Sequence, residues 1–223
     1  MSDTSNTRET CKLYIWQRNI NRSLEGQLDL LHSLEANKYD IVAIQEPHVD
    51  FLGCTWANPY WSVIYPRQHL DNPKKTRFVM LINQSILTNN WEALNILSNN
   101  ITGVWLHDAL RSLCILNIYN NCGNNQSLEV VEDFMRERER AGRMEVRGQG
   151  RVGRLGVRGK GGENFIWLGD FNRHHPLWDK ERNAYLFTKV ALVKLQDYPI
   201  LLGWKRCGVE IWIGKYEVHV WYL

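Results

Sequence analysis

The chain reads as an α+β protein, a layered fold in which strands outnumber helices. Two observations predict this. Short apolar, β-favouring runs recur along the sequence, punctuated by Asn, Pro and Gly, while helical periodicity is confined to a few segments. Strands and helices also do not alternate strictly, which argues against a regular βαβ design. The length, 223 residues, suits one sizeable domain or at most two small ones.

Taken in order, candidate strands fall at residues 13–16, 40–45, 61–65, 78–82, 103–106, 113–119 and 165–168. A helix is expected to open at Ser23, with Leu24, Leu28, Leu31 and Leu34 at helical spacing. A second begins after Ser127: Glu129, Glu132 and Asp133 fill its first turns and arginines its end, as the helix dipole prefers. A third spans residues 182–197, with apolar positions on more than one face. At the end of the chain, Val209, Ile211 and Ile213, then Glu217, His219 and Trp221, suggest a strand pair around Gly214-Lys215.

Composition narrows the function classes. The chain is 44% apolar and 23% charged, and no run approaches the roughly 18 consecutive apolar residues of a membrane span. The start, MSDTSNTRETCK, is polar and carries acids, so it reads as neither a secretory nor a transit peptide. Five cysteines, at 11, 54, 114, 122 and 207, form no CxxC pair, and reduced thiols are expected. The net charge of +3 is unevenly spread: residues 136–162 hold eight Arg and one Lys against three Glu, leaving the remainder net acidic. The same segment holds eight of the sixteen glycines and shows no hydrophobic period. It is expected to be a disordered insertion beyond its first few residues, either a tolerated expansion or a basic arm with sequence-blind affinity for phosphate.

Four strand ends carry polar groups suited to chemistry. LYIWQRNINRS brings Asn19 to the end of a strand just before a helix, and DIVAIQEPHVD ends in Gln45-Glu46 before Pro47. LCILNIYNNCGNN leaves Tyr119 and Asn120 at a strand exit, and WLGDFNRHHPLWD delivers Asp170 and Asn172. Singly, each reads equally well as a turn. Together they supply hard oxygen donors of the kind that hold Mg²⁺ through one or two carboxylates, waters and a substrate phosphate.

The order N…QE…YN…GDFN resembles the endonuclease/exonuclease/phosphatase superfamily. The longer strings LYIWQRNINRS and WLGDFNRHHPLWD resemble endonuclease domains of non-LTR retrotransposons, from about Leu13 to Asp179. The resemblance implies a four-layer α/β/β/α sandwich of two mostly antiparallel sheets, with the active site at one end. It implies a DNA endonuclease dependent on Mg²⁺, with Mn²⁺ as a substitute, and DNA as partner. No membrane and no small-molecule cofactor is expected; DNA access implies the nucleus, and oligomeric state is not legible. Carried over by motif, Glu46 and Asn19 bind the metal, Tyr119 contacts the scissile phosphate, and Asp170 and Asn172 orient water and stabilise the pentavalent phosphorus. Asn120, Arg173, His174 and His175 are substrate-binding candidates. The histidine pair has two readings: a second metal site or general base, or residues that shape the loop and pack near Trp178. The resemblance favours the second.

The resemblance also sets an expectation of impairment. The superfamily ends in a Ser-Asp-His motif, and no Ser-Asp-His occurs here. His219 lacks a neighbouring Asp to hold its tautomer and is not expected to replace it. The domain is therefore expected over residues 11–200, interrupted by 136–162, with an atypical tail at 201–223 and a sheet left incomplete at the C-terminus. Three alternatives stay open. One is a phosphatase of the same superfamily, against which the HHPLW extension argues. Another is a non-catalytic remnant that binds nucleic acid through the basic segment. The last is a chain that does not fold stably.

Overall fold

The computed structural model describes residues 11–107, 112–121, 124–148, 164–170, 209–213 and 216–222. The third expected helix, at 182–197, lies outside them. In chain order the elements are β1 (Cys11–Asn19), α1 (Leu24–Ser33), β2 (Ile41–Gln45), β3 (Trp61–Ile64), β4 (Phe78–Asn83), β5 (Trp91–Ala93), β6 (Ile101–His107), β7 (Ser112–Tyr119), α2 (Gln126–Gly148), β8 (Asn164–Asp170), β9 (Val209–Ile213) and β10 (Tyr216–Tyr222). Single 3₁₀ turns at Pro73–Lys75 and Thr88–Asn90 punctuate the loops.

Two sheets form. One has the order β3-β4-β2-β1-β10-β9 and the other β5-β6-β7-β8. Among the described strands, β1 pairs in parallel with β2 and β10, and β7 with β8; the remaining five pairings are antiparallel. A parallel pair needs a crossover, and α1 (between β1 and β2) and α2 (between β7 and β8) provide two of them. The two sheets pack through Leu13, Ile15, Ile41, Met80, Ile115 and Ile166, all deeply buried. Each fully buried aliphatic of this kind contributes about 1.5–3 kcal/mol. On the outer face of the larger sheet, Leu30 and Leu34 pack against Trp16, Val42 and Leu81. On the outer face of the smaller one, Leu128 and Val131 of α2 pack against Leu116, Phe165 and Trp167. The result is the helix–sheet–sheet–helix layering that the sequence led us to expect.

Two details differ from the sequence reading. In α1 the buried positions are Gln27 and Leu30, whereas Leu24 and Leu28 are exposed. Ser23 caps the helix as expected, accepting the Gly26 N–H at 3.0 Å. Gln27 is drawn inward by hydrogen bonds to a neighbouring loop, which rotates the leucine stripe partly into solvent. Helix α2 continues to Gly148, well into the segment expected to lack structure. Glu and Arg are good helix formers, and Arg136 bridges Glu132 and Asp133 one turn back, each at 3.6 Å. The tail supplies the strand pair expected around Gly214-Lys215. β10 lies in parallel along β1 from Cys11↔Tyr216 to Gln17↔Tyr222, and β9 pairs back onto it. Two strands from the tail thus extend the sheet beyond β1.

Candidate active site

Alternation along the strands sorts the inter-sheet space into two ends. On β1 the inward positions run Leu13, Ile15, Gln17, Asn19; on β2, Ile41, Ala43, Gln45; on β7, Leu113, Ile115, Asn117, Tyr119; on β8, Ile166, Leu168, Asp170. Every series turns from apolar to polar towards the C-terminal end of its strand. Register brings these polar ends level: Asn19 pairs with Gln45, Gln45 with Phe78, and Tyr119 with Asp170.

Hydrogen bonds then tie one sheet to the other just beneath this rim. Asn117, fully buried, donates from Nδ2 to the carbonyls of Ile44 (3.3 Å) and Val79 (3.2 Å). Thr102 Oγ1 donates to the Phe78 carbonyl at 3.1 Å, and Gln17 Nε2 to the Gly169 carbonyl at 3.5 Å. The rings of Phe78 and Tyr119 meet across the gap with centroids 5.7 Å apart. Asn19 and Glu46 from one sheet, and Tyr119 and Asp170 from the other, therefore share one end of the sandwich.

Backbone strain concentrates at this end. Glu46 sits at φ +47°, and Asn21 and Arg22 at +48° and +58°. Left-handed backbone costs a non-glycine residue about 1–2 kcal/mol, so the surroundings must hold it in place. They do: the Glu46 N–H donates to the Arg77 carbonyl at 2.7 Å, and its carbonyl accepts the Arg22 N–H at 2.7 Å. Asn19 closes the adjoining turn by accepting the Asn21 N–H on Oδ1 at 2.8 Å. The Glu46 carboxylate meets the Arg77 guanidinium, Oε1 to Nη1 3.4 Å, and that guanidinium lies over the Tyr119 ring, 5.5 Å from its centroid. Arg77 joins the two sheets electrostatically at the rim.

Gly169 explains how Asp170 is delivered. Its φ is +137°, and a Cβ there would run into the Ile118 backbone, 2.7 Å from N and 2.8 Å from C. Only glycine allows β8 to press this closely on β7. The next residue, Asp170, is half-buried, and its carbonyl accepts the Asn120 N–H at 2.9 Å. Asn120 itself is fully buried, so this backbone bond is shielded from water.

Of the residues singled out from sequence, Asn19, Glu46, Tyr119, Asn120 and Asp170 are brought together. Asn172, Arg173, His174 and His175 lie outside the described residues. His219 is opposite Tyr14 in the β1–β10 register, five residues short of Asn19. At about 3.3 Å per residue, its backbone is roughly 17 Å from the rim along the strand. Sequence reasoning missed Arg77, because it enters at the start of a strand rather than its end. It also missed the inward amides of Gln17 and Asn117, which a strict reading of alternation would have exposed. Gln45 Nε2, Gln17 Oε1 and Asn117 Oδ1 are buried with no hydrogen-bond partner among the described residues.

Among the described residues no cluster of three or more His, Cys, Asp or Glu stands ready to hold a metal. The oxygen donors that are present, the Glu46 carboxylate and the Asn19 carboxamide, fit a cation that keeps most of its waters, as Mg²⁺ does.

No family model and no curated protein matches the chain. Among solved structures, the chain is similar to the endonuclease domain of TRAS1, a telomere-specific non-LTR retrotransposon. The identity is 17% and the TM-score 0.46, with 76% of this chain and 65% of that chain covered. The chain thus spans just under two thirds of the length of that structure.

Proposed function

We propose that this domain is a divalent-cation-dependent phosphodiesterase that nicks DNA. The observation that carries the reading is the convergence of Asn19, Glu46, Tyr119 and Asp170 at one rim of the sandwich, in the chain order of the superfamily motifs. Attack on a phosphodiester requires neutralisation of developing negative charge and an oriented water. A Mg²⁺ or Mn²⁺ ion, when bound, supplies the neutralisation, and Glu46 and Asn19 are the residues that would hold it. Tyr119 offers its hydroxyl to a phosphate oxygen. Arg77 adds a fixed positive charge beside the same ring and competes for the Glu46 carboxylate when substrate is away. Asp170 accepts a hydrogen bond from the attacking water and orients it, with Asn172 donating to the phosphate without adding negative charge.

The reading includes a slow rate. The chain has no Ser-Asp-His, and His219 sits on β10 level with Tyr14, far from the rim; loss of a general acid–base partner typically lowers rates by about 10² to 10⁴.

The test is nicking of supercoiled plasmid in Mg²⁺ by the wild type, Glu46→Ala and Asp170→Ala. Both variants should lose at least about 10² in rate while retaining the wild-type circular dichroism. Wild-type rates in both would remove the site from the reaction. Binding that survives Glu46→Ala but vanishes on deleting residues 136–162 would favour a non-catalytic nucleic-acid-binding role.

A further inference from the structure

We infer that two loops beside the rim, residues 50–56 and 67–77, form a preorganised docking face for an unpaired stretch of nucleic acid. The inference rests on the phosphodiesterase reading for the identity of its occupant. One loop follows Glu46 and the other ends in Arg77, so both start from the candidate site.

Their tips are apolar and open to solvent. Phe51 is 91% exposed, Leu70 86% and Leu52 73%. Exposed apolar side chains on a floppy loop would mean little, but these loops are braced. Gln27 of α1 is buried and donates to Thr55 Oγ1 and the Trp56 carbonyl, both at 2.8 Å, while its Oε1 accepts the His48 N–H at 2.9 Å. Asp50 Oδ1 accepts the N–H groups of Leu52 and Cys54, each at 2.9 Å. The second loop is locked by the His69–Thr76 hydrogen bond at 2.7 Å and by the stack of His69 on Tyr65, centroids 4.0 Å apart. Cross-bracing joins the loops: the Thr55 N–H donates to the Tyr65 hydroxyl at 2.8 Å, His69 hydrogen-bonds the Gly53 backbone, and Gly53 packs on Pro73. Phe51, Leu52 and Leu70 are therefore held out into water on a rigid base. Rigid, exposed apolar groups lose little entropy on binding.

Charge selects the occupant. Residues 67–77 carry Arg67, Lys74, Lys75 and Arg77 against Asp71 alone, and Arg67, Lys74 and Lys75 are exposed. In the neighbouring loop, the Asp50 carboxylate is turned into its own backbone. Cations interleaved with apolar tips match a polyanion whose apolar faces are accessible. A duplex hides its base faces, whereas a single strand offers them for stacking at about tenfold in affinity per contact. A strand passing from the site over these loops would set phosphates against Lys74 and Lys75 and a base against Phe51.

The experiment measures equilibrium binding in EDTA, so that no strand is cut and nicking plays no part in the readout. Fluorescent oligonucleotides, single-stranded and duplex, are titrated with wild type, Phe51→Ala/Leu70→Ser, Lys74→Ala/Lys75→Ala and Leu87→Ala. Leu87 is an exposed leucine beyond the far end of β4 and serves as the control. The wild type should prefer the single strand, and Phe51→Ala/Leu70→Ser should weaken that binding about tenfold with the duplex barely affected. Lys74→Ala/Lys75→Ala should reduce the slope of log K against log salt by about 1.4, and Leu87→Ala should change nothing. Unaltered single-strand affinity in both loop variants overturns the inference. So does an equal loss on single strand and duplex. Because binding alone is read, a protein that binds in this way but never nicks would sink the phosphodiesterase reading and leave the docking face standing.

Discussion

The two ends of the inter-sheet space are built on the same strands and on the same inward positions, yet they are made for opposite ends. At one, Leu13, Ile15, Ile41, Ile82 and Leu113 close a dry core. At the other, four to six residues further along, Gln17, Asn19, Gln45, Asn117, Tyr119 and Asp170 occupy equivalent positions. Apolar burial at the first end is where the fold gains its stability. The second end carries buried amides with open hydrogen-bonding capacity and a non-glycine residue, Glu46, in left-handed backbone. A protein selected only for stability would have filled these positions with Val and Ile. Their polarity points to a site whose groups must face something other than the protein.

Substitutions at the two ends should therefore separate stability from activity. The largest effect on stability is expected at the dry end. Ile15→Ala removes a fully buried side chain from the centre of the six-stranded sheet, a change that costs about 2–5 kcal/mol. For a chain of this size the melting temperature should fall on the order of 10 °C. Nicking per folded molecule at a permissive temperature should hold steady, because the rim is untouched. A comparable loss in both measurements would mean that the two ends are not separable.

Next in size is Asn117→Ala, which sits at the boundary between them. It deletes both Nδ2 bonds to Ile44 and Val79 and leaves their carbonyls less well satisfied, for a loss of about 1–3 kcal/mol. Because Asn117 also fixes β7 against β2 and β4, Tyr119 should shift relative to Glu46. We expect nicking at saturating plasmid to drop more than the stability change alone predicts. Asn117→Asp, which keeps the shape but puts an acceptor against two carbonyls, should do no better.

Gln45→Met is expected to move the other way. The Gln45 amide nitrogen is buried without a partner among the described residues. A thioether of similar volume removes that desolvated donor, and stability should rise by up to about 1 kcal/mol. Nicking should fall. A melting temperature below that of the wild type would show that the amide contributes to the fold, and the contrast between the ends would blur at this position.

Most of this architecture was legible from local pattern. Seven strands, the strand pair of the tail and the start of α1 could be read because alternation and an N-cap serine are local signals, and the strand-end motifs marked the rim for the same reason. What escaped was non-local or weakly patterned. β5 is only three residues, one half-buried and two exposed, with no period of its own. The length of α2 was hidden by an Arg- and Gly-rich composition that reads as featureless, although Glu132 and Arg136 are spaced for helix. The pairing of β10 with β1 joins residues about 200 apart in sequence. Nothing near Tyr216 announces which strand edge will receive it. Arg77 was missed because its role depends on where Tyr119 lies, on the other sheet.

The smallest expected effect concerns the loop braces beside the rim and is a matter of pH. Burial holds the His69 imidazole below its ordinary value of 6.5, with the Gly53 hydrogen bond opposing the shift. In the unfolded chain the ring takes up a proton near 6.5, whereas in the folded chain it does so only at lower pH. Between those values the unfolded state binds more protons, so stability rises with pH across that window. The contribution is complete above about pH 6.5 and is lost as pH falls towards the folded value. Protonation would also disturb the stack on Tyr65 and the bond to Thr76, which hold Leu70 and Lys74 in place. Melting curves from pH 7.5 to 5.5 should therefore slope more steeply for the wild type than for His69→Gln, which cannot titrate. Amide exchange in residues 50–56 and 67–77 should quicken over the same range in the wild type, while the apolar end of the sandwich stays protected. Parallel slopes in the two proteins, with no change in loop exchange, would place the His69 ring in solvent and remove it from the brace.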